Sequence, residues 1–510
     1  MPEKKVRVRY APSPTGPLHL GGVRTALYNY LFAKKNHGEF ILRIEDTDQT
    51  RFVPGAIEYI VDSFRWCGLK FDEGYTIGGA FGPYIQSERK HLYKQFASRL
   101  LEDGHAYYAF DTPAELDEIR KKLESEKAAP FQYDSSTRMG MKNSLTMPKE
   151  DVEKLLNSNV PYVIRIKINP NEIVKIQDLI RGEVLMNSSL LDDKVLFKSD
   201  GMPTYHLANV VDDYLMHISH VIRGEEWLPS TPLHFLLYKY LGWEKEMPIF
   251  AHLPLILKPD GKGKLSKRDG DRLGIPVFPL QWKDPETGEV SKGYQDAGYF
   301  PEAFINMLAL LGWNPGSEQE IFTLEELVQA FDLNKVHKSG AKFDVEKAKW
   351  FNHQFLLRKK DIELLEDFKK ILVEKNISSE NEYILKVIHL IKDRVHFVPE
   401  FWAQSSFFFV DPPQYDAAAI KKFWKANTNT VLEEMKNFIQ ELRPFELSHI
   451  ENSIKELIHQ KEWNMGMVMN SLRICFVGAS TGPGVFQIME LIGKENCLSR
   501  IQKALSEIKI

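Results

Sequence analysis

The chain has 510 residues, a length that favours several domains over one. Hydrophobic residues (43%) and charged residues (27%) occur in globular proportions, which excludes a chain that is disordered throughout. The 66 basic and 70 acidic residues give a formal net charge of −4. This balance excludes coating of nucleic acid by bulk positive charge, but it leaves room for local basic grooves.

The first 104 residues carry the pattern of an α/β domain. Val6–Tyr10 alternates apolar and charged residues and predicts a strand, which runs into the proline-rich segment 12–17. Apolar residues at helical spacing over Leu20–Leu31 predict a helix, and Phe40–Leu42 predicts a second strand. Strand, helix and strand in this order indicate a parallel sheet. Further helical patterns cover 55–66 and 88–101.

Residues 105–200 show a mixed pattern and predict an inserted α+β domain. A charged helical stretch covers 113–127, and strand-like runs cover 160–168 and 173–179. The α/β pattern then returns at 201–260. There, strands predicted at 221–222 and 250–257 bracket a helix at 232–241. We therefore expect one sheet that is split by an insertion.

The remaining chain changes character twice. Residues 261–299 are rich in glycine and proline, which excludes one regular element throughout. From Pro301 onward the apolar spacing is helical, with helices predicted at 361–373, 382–391 and 430–442. The predicted segments are 1–104, 105–200, 201–260, 261–340 and 341–510.

The cysteines and the N-terminal residues indicate in which cellular compartment the protein is expected. Cys67, Cys475 and Cys497 are scattered without a Cys-x-x-Cys pair, so neither a disulfide framework nor a cysteine-rich zinc site is predicted. This usage is typical of a reducing cytosol, and we expect a cytoplasmic protein. No apolar segment follows the charged N-terminus and no stretch approaches 18 apolar residues. We therefore expect neither a signal peptide nor a membrane span.

The segment 11–22 reads Ala-Pro-Ser-Pro-Thr-Gly-Pro-Leu-His-Leu-Gly-Gly and lies between a predicted strand and helix. Parallel sheets bind ligands at such junctions, and small residues let a ligand approach the backbone closely. Free N–H groups at a helix start suit phosphate, and His19 can donate a hydrogen bond to it. The alternative is a structural turn with a satisfied histidine.

A second segment, Lys264-Leu-Ser-Lys-Arg268, lies in the glycine-rich region. Two lysines three residues apart on a loop can close on a triphosphate and stabilise charge that develops on it. The alternative is a solvated basic loop.

A third set consists of single charged residues. Carboxylates at the end of the second predicted strand could hold an ammonium group or a metal ion, and arginines could grip a carboxylate with two hydrogen bonds. The alternative for each is an ordinary surface ion pair. The candidates are Arg9, Glu45, Asp46, Asp48, Arg223, Glu225 and Glu226.

Taken together, these segments resemble class I aminoacyl-tRNA synthetases, and more narrowly the bacterial-type glutamyl-tRNA synthetases. The resembling segments are 11–22, 43–48, 82–89, 197–213, 221–227 and 264–268. The resemblance implies a Rossmann-like parallel-sheet catalytic domain (1–104 and 201–260) that is split by an inserted α+β acceptor-binding domain (105–200). It further implies a stem-contact region with the Lys-Leu-Ser-Lys-Arg loop (261–340) and an all-α anticodon-binding region (341–510).

The reaction implied by the resemblance is ATP-dependent ligation of L-glutamate to the 3′ end of tRNA(Glu) through a glutamyl-adenylate, with release of AMP and pyrophosphate. Mg²⁺ would come with ATP through phosphate oxygens and water, without dedicated protein ligands. Some relatives hold zinc in the insertion through cysteines. The comparable stretch here is Tyr108-Ala109-Phe110, so we expect no zinc. The family expectation is a monomer.

The resemblance also assigns residues, and it makes His19, Lys264 and Lys267 catalytic. The implied glutamate-binding residues are Arg9, Ala11, Ser13, Glu45, Tyr205, Asn209 and Arg223. The implied ATP-binding residues are Thr15, His19, Gly21, Gly22, Glu226, Ile256, Lys264, Ser266 and Lys267.

Three alternatives stand beside this hypothesis. A glutaminyl enzyme usually has a different first motif and a β-barrel tail, and a truncated relative that modifies a tRNA base lacks the second half. A non-catalytic tRNA-binding paralogue would not be expected to keep His19, Lys264 and Lys267. One departure is Gly274–Gly298, which is longer than the family core. We interpret it as a surface insertion without an assigned function.

Overall fold

The computed structural model describes residues 5–127 and 129–509, except for the side chain of Asp271. The chain divides into two compact units, one up to Ala348 and one from Lys349 onward. The division lies eight residues beyond the predicted start of the last segment at 341. Ala341 and Lys342 form a short strand that pairs with Ile256 and Leu257, which ties them to the first unit.

Strands in the first unit are short and mostly buried, and we number them in chain order. They are β1 (Arg7–Tyr10), β2 (Glu39–Leu42), β3 (Glu73–Gly74), β4 (Ala106–Ala109), β5 (Val163–Ile166), β6 (Ile173–Asp178), β7 (Gly182–Asn187), β8 (Val195–Phe197), β9 (His220–Gly224), β10 (Ile249–Leu253), β11 (Ile256–Leu257), β12 (Trp282–Lys283), β13 (Val290–Ser291) and β14 (Ala341–Lys342).

Two sheets meet in the middle of this unit. The first is parallel with the order β1-β2-β3, and the second has the order β7-β6-β10-β9 with β6, β10 and β9 parallel. They adjoin where the Ser219 N–H, just before β9, donates to the Arg7 carbonyl of β1 at 2.9 Å. The predicted parallel sheet is therefore present. Proline at 254 interrupts the single strand predicted over 250–257, because proline cannot donate to a ladder.

The predicted insertion contributes to two sheets. Strands β4, β5 and β8 form an antiparallel sheet of their own, whereas β6 and its antiparallel partner β7 extend the β10-β9 sheet. A buried polar cluster stabilises the first of these. Asp193 accepts hydrogen bonds from Tyr107 at 2.8 Å and from Arg138 at 2.9 Å. Residues 105–200 are thus only partly separate from the main sheet.

Helices of the first unit pack on these sheets. The first begins at Leu20 as predicted and buries Leu27, Tyr28 and Leu31, the face that its apolar spacing defines. The helices are α1 (Leu20–Lys35), α2 (Ala56–Trp66), α3 (Lys90–Glu102), α4 (Pro113–Ser125), α5 (Lys149–Asn157), α6 (Tyr205–Leu215), α7 (Thr231–Tyr240), α8 (Lys267–Leu273), α9 (Pro301–Leu310) and α10 (Leu324–Ala330).

The second unit is helical, in agreement with the apolar spacing. Buried Arg500 joins three of its segments by donating to Asp411 at 2.9 Å and to the carbonyls of Phe407 and Phe476. After α11 (Val345–Arg358), which contains the division, the helices are α12 (Asp361–Glu374), α13 (Asn381–Ile391), α14 (Phe401–Phe409), α15 (Ala417–Phe423), α16 (Thr428–Glu441), α17 (Leu447–Gln460), α18 (Met465–Val477), α19 (Val485–Ile492) and α20 (Lys494–Glu507). Within the described residues, no helix has the length and apolar character needed to cross a membrane.

Candidate active site

A cavity of about 700 Å³ lies where β1, β2, β9 and β10 end. Parallel sheets bind ligands at this edge, because the following loops converge there. All of the residues that the family resemblance assigns to the site line this cavity: Arg9, Ala11, Ser13, Thr15, His19, Gly21, Gly22, Glu45, Tyr205, Asn209, Arg223, Glu226, Ile256, Lys264, Ser266 and Lys267.

His19 caps α1, and this contact holds its imidazole ring in one tautomer. Its Nδ1 accepts the Gly21 N–H at 3.2 Å, so the ring proton is on Nε2. That Nε2 is buried and has no partner among the described residues. Burial, with a smaller contribution from the charge of Lys264, lowers the pKa of His19 to about 4, so the ring is neutral at pH 7. The arrangement leaves one free N–H for an acceptor such as a phosphate oxygen.

The two glycines after His19 serve different purposes. A Cβ at Gly22 would lie 2.5 Å from the Tyr10 hydroxyl and 2.6 Å from Leu18, so a side chain at this position would force Tyr10 and Leu18 to shift. At Gly21 the nearest described atom would be His19 Nδ1 at 3.6 Å. Gly21 therefore keeps open a surface that a ligand can approach closely.

The lysines of the Lys-Leu-Ser-Lys-Arg segment both contact carboxylates. Lys264 Nζ lies 3.1 Å from Glu226 and Lys267 Nζ lies 3.3 Å from Glu289. These side chains are exposed, with 56% of Lys264 and 36% of Lys267 accessible. Such pairs are weak and exchange readily. Phosphate groups could therefore replace the carboxylates.

Residues 274–298 form part of this region and are not a simple surface insertion, contrary to our expectation. The carbonyl of Val277 accepts the Leu20 N–H at the start of α1 at 2.8 Å, and the Phe278 ring packs edge-on against His19. The hairpin of β12 and β13 then brings Glu289 to Lys267. Buried apolar side chains hold the segment in place: Val277, Phe278, Trp282 and Tyr294.

Opposite the lysines, buried arginines and carboxylates form a paired network. Arg9 grips Asp213 with two hydrogen bonds of 3.0 and 3.1 Å, and Arg43 donates to Asp213 at 2.8 Å. Burial alone would raise the pKa of Asp213, but the two arginines outweigh it and lower the pKa. Arg43 and Asn209 both donate to Oε1 of Glu45, at 3.0 and 3.1 Å, which leaves Oε2 for a ligand.

Arg223 is held differently, because its partners are neutral. It donates to His252 at 3.0 Å, to the Tyr205 hydroxyl at 2.8 Å and to Thr231 at 2.9 Å. It also donates to the Trp227 carbonyl at 3.3 Å. Within the part of the chain that the structure describes, no carboxylate lies within 4 Å of its guanidinium. Arg223 is thus a buried cation, 5% exposed, that lacks a paired anion.

Some candidate charges lie outside the cavity. Asp46 accepts the Ser87 N–H at 2.8 Å and Asp48 pairs with Arg51 at 2.6 Å, so both have structural roles. Glu225 pairs with Arg181 at 2.6 Å. Asp48 and Glu225 therefore fit the alternative of an ordinary ion pair, whereas buried Asp46 accepts a backbone hydrogen bond.

The sequence interpretation missed several residues that complete the site. Asp213 and Arg43 lie within recognised motifs, but only the tertiary structure shows that they pair with each other. Arg24 lines the cavity and donates to the carbonyls of Leu311 and Pro254. It lies five residues after His19, near the start of the same predicted helix, and this position could have indicated that it belongs to the site. Trp227 is the last residue of the resembling segment 221–227, and it also lines the cavity.

Across residues 5–127 and 129–509, no group of three or more His, Cys, Asp and Glu side chains is arranged to hold a metal ion. The cysteines are buried and free. The cavity is lined by cationic side chains that include Arg9, Arg223, Lys264 and Lys267.

Comparison with known proteins assigns the chain to a family. The family described as tRNA synthetases class I (E and Q), catalytic domain, matches residues 5–350, and the anticodon binding domain matches residues 362–505. The glutamate–tRNA ligase of Parabacteroides distasonis is 57% identical over 513 residues, and that of Phocaeicola vulgatus is 56% identical over 510 residues. In each case 100% of both chains is covered.

A solved structure agrees with these matches. The crystal structure of a glutamate tRNA ligase from Elizabethkingia meningosepticum in complex with its amino acid has 52% sequence identity and a TM-score of 0.96. The match covers 99% of this chain and 100% of that one. The predicted fold class, a parallel α/β domain followed by a helical anticodon-binding region, is confirmed. The chain belongs to the class I tRNA synthetase family of glutamate and glutamine enzymes.

Proposed function

We propose that this protein is a glutamate–tRNA ligase that activates L-glutamate with ATP and transfers it to the 3′ end of tRNA(Glu). The observation that carries the proposal is that two different sets of side chains line one cavity, one suited to an amino acid and the other to phosphate groups. One part of the lining contains the buried cation Arg223, which has no paired anion, and the carboxylate of Glu45. At the other end lie the free His19 N–H and two exchangeable lysines.

Glutamate carries a side-chain carboxylate, an ammonium and an α-carboxylate, and each needs a different surface. Arg223, Arg9 and the Tyr205 hydroxyl would bind the side-chain carboxylate. Tyr205 already accepts from Arg223, so its own proton is free to be donated. Glu45 would bind the ammonium through its unused oxygen. The loop and helix residues that shape the remaining contacts are Ala11, Ser13 and Asn209.

ATP would occupy the other end. His19 Nε2–H would donate to the α-phosphate, and Gly21 would leave room for close approach of the nucleotide. Lys264 and Lys267, with Ser266 beside them, would bind the outer phosphates after leaving Glu226 and Glu289. The residues proposed to surround the adenosine are Thr15, Gly22, Glu226 and Ile256.

Two displacements complete the reaction. An oxygen of the glutamate α-carboxylate attacks the α-phosphorus, the bond to the β-phosphate oxygen breaks, and pyrophosphate leaves. The terminal 2′-hydroxyl of the tRNA then attacks the activated carbonyl and AMP leaves. No protein nucleophile is needed, because the protein's part is to position the groups and to stabilise developing negative charge.

ATP would bring Mg²⁺ bound to its phosphate oxygens, where the ion supplies further charge stabilisation. The chain fits an ion held by the substrate, since no metal-holding cluster occurs in the described part of the chain. We propose no zinc site, because the insertion contains no cysteine. We further propose a cytoplasmic monomer.

The test is acylation by the purified protein. Glutamate, ATP, Mg²⁺ and tRNA(Glu) should give glutamyl-tRNA, whereas glutamine should give no product. Purified tRNA(Gln) runs as a parallel substrate and shows whether it is charged as well. Binding of tRNA(Glu) without acylation under these conditions would establish a non-catalytic paralogue. Charging with glutamine rather than glutamate would establish a glutaminyl enzyme.

A further inference from the structure

A chain of buried polar groups lies behind Arg223, outside the cavity lining. Asp178 at the end of β6 contacts His252 of β10, with 2.6 Å between Oδ2 and Nδ1. His252 Nε2 in turn accepts the Arg223 Nε–H at 3.0 Å. Exposure is 1% for Asp178, 0% for His252 and 5% for Arg223. Three strands therefore contribute one residue each to a single hydrogen-bonded line.

The hydrogen bonds determine the tautomer of His252. Arginine can only donate, so His252 Nε2 must be the acceptor and the ring proton must be on Nδ1, pointing at Asp178. A second contact agrees with this, because the Thr231 hydroxyl lies 3.1 Å from the same Nε2. That hydroxyl accepts from Arg223 at 2.9 Å, and the imidazole nitrogen is a nearer acceptor for its proton than the Trp227 carbonyl at 3.5 Å.

His252 is also neutral. Burial lowers its pKa, the neighbouring Asp178 opposes this, and Arg223 lowers the pKa further. A protonated ring would place an N–H against the Arg223 N–H, which the observed 3.0 Å contact excludes. The Arg223 Nε–H therefore donates to the lone pair of an uncharged imidazole nitrogen and not to a carboxylate.

Asp178 is fixed by its own turn. Its Oδ1 accepts the backbone N–H groups of Ile180 at 2.9 Å and Arg181 at 2.8 Å, and its Oδ2 is left for His252. Burial would raise the pKa of Asp178, but the hydrogen bonds from His252 and the backbone outweigh it and lower the pKa. The carboxylate is therefore charged and immobile, and it stands one imidazole ring away from Arg223.

We propose that Asp178 and His252 are positioning residues for glutamate binding, which orient Arg223 without neutralising it. A carboxylate in direct contact with Arg223 would neutralise the guanidinium, as Asp213 offsets the charge of Arg9 through two hydrogen bonds. The imidazole supplies a directed acceptor without a charge, so the cation stays available to an anionic side chain. This inference rests on the proposed role of Arg223 in glutamate binding.

Two isosteric variants of His252 separate its two contacts. In His252→Gln the side-chain amide lies near the position of Nε2, so its oxygen can still accept from Arg223. In His252→Asn the amide lies near the position of Nδ1, so it can contact Asp178 but does not reach Arg223. We expect His252→Asn to raise KM for glutamate about ten-fold or more and His252→Gln to change it about three-fold or less. The ATP KM should be unchanged in both, and kcat should change by less than about three-fold.

Asp178→Asn provides a second measurement that does not depend on the folding of the His252 variants. If its amide nitrogen faces His252, the ring must move its proton to Nε2, against the Arg223 N–H. If it faces the turn, it opposes the Ile180 and Arg181 N–H groups. Either orientation disturbs the line, so KM for glutamate should again rise with the ATP KM unchanged.

Arg223→Ala separates the proposed role of Arg223 in glutamate binding from the proposed positioning role of Asp178 and His252. A large loss of glutamate use in Arg223→Ala, with wild-type glutamate KM in His252→Asn and Asp178→Asn, would overturn the positioning role alone. Unchanged glutamate kinetics in Arg223→Ala would overturn the assignment of Arg223 and this inference with it. If His252→Asn and His252→Gln raise the KM for glutamate and the KM for ATP by the same factor, the role of His252 is merely structural. That result would also overturn the inference.

Discussion

The two ends of the cavity carry similar charges in different surroundings. At the glutamate end, Arg9 and Arg223 are 4% and 5% exposed and are held by several hydrogen bonds each. At the phosphate end, Lys264 is exposed and Lys267 is partly exposed, with one carboxylate contact each. Guanidinium groups suit the first because their rigid geometry fixes direction, and flexible ammonium groups suit the second.

This difference corresponds to what each ligand requires. A small amino acid must be distinguished from its amide, which calls for a fixed and desolvated cation. A triphosphate must enter, react and leave as pyrophosphate, which calls for cations that exchange partners. We therefore expect mutations at the buried end to affect stability and specificity, and mutations at the exposed end to affect rate and ATP affinity.

The largest effect on stability is expected for Asp213→Ala. Removal of this carboxylate leaves Arg9 and Arg43 buried without their shared partner, which should cost about 3–5 kcal/mol in the free energy of unfolding. Urea denaturation followed by a signal from the first unit measures it. The matched control is Asp48→Ala, which removes the exposed pair with Arg51 and the cap on the Arg51 N–H and should change stability by about 1 kcal/mol or less. Similar losses in both variants would remove the distinction between buried and exposed charges.

Arg223→Ala should lower kcat/KM for glutamate about 100-fold or more, because it removes the buried cation that lacks a paired anion. The KM for ATP should change little. Steady-state acylation kinetics with each substrate varied in turn provide the measurement. Wild-type glutamate kinetics in this variant would place the side-chain carboxylate elsewhere.

Lys267→Ala should lower kcat about 100-fold, since the lost ammonium would stabilise charge that develops on the leaving phosphates. The Kd for tRNA should stay within about two-fold of wild type. Lys262→Ala is the control, because this lysine precedes the same segment but does not line the cavity. Equal losses of rate and of tRNA affinity would show that Lys267 contacts tRNA instead.

Glu289→Gln should give the smallest effect, a decrease of about three-fold or less in the KM for ATP. The change frees Lys267 from an exposed carboxylate, and exposed pairs contribute about 0–1 kcal/mol. Added salt should diminish the effect through screening. Glu286→Gln, in the turn of the same hairpin, serves as the control. A higher KM for ATP in Glu289→Gln would mean that Glu289 helps to hold the loop in its active position.

The sequence predicts much of this molecule because local patterns determine its elements. Helix α1 follows from apolar spacing, whereas most of the cavity-lining site residues are implied by the family resemblance of the motifs. The family is confirmed by the comparisons. The roles of the individual site residues stay predictions.

Long-range pairing is where the sequence was insufficient. Strand β6 lies in the predicted insertion, yet it pairs with β10, and this places Asp178 beside His252. No local pattern in either segment indicates that contact. The position of residues 274–298 against His19 was likewise missed, although buried Phe278 and Trp282 were a signal that the segment packs against something.

The central claim is that an unpaired buried cation selects an anionic amino-acid side chain. Calorimetric titration of the full-length protein with glutamate and with glutamine tests it most directly. Glutamate should bind at least about 100-fold more tightly than glutamine, because the amide leaves Arg223 without a counter-charge. Equal affinity for the two amino acids would contradict the account.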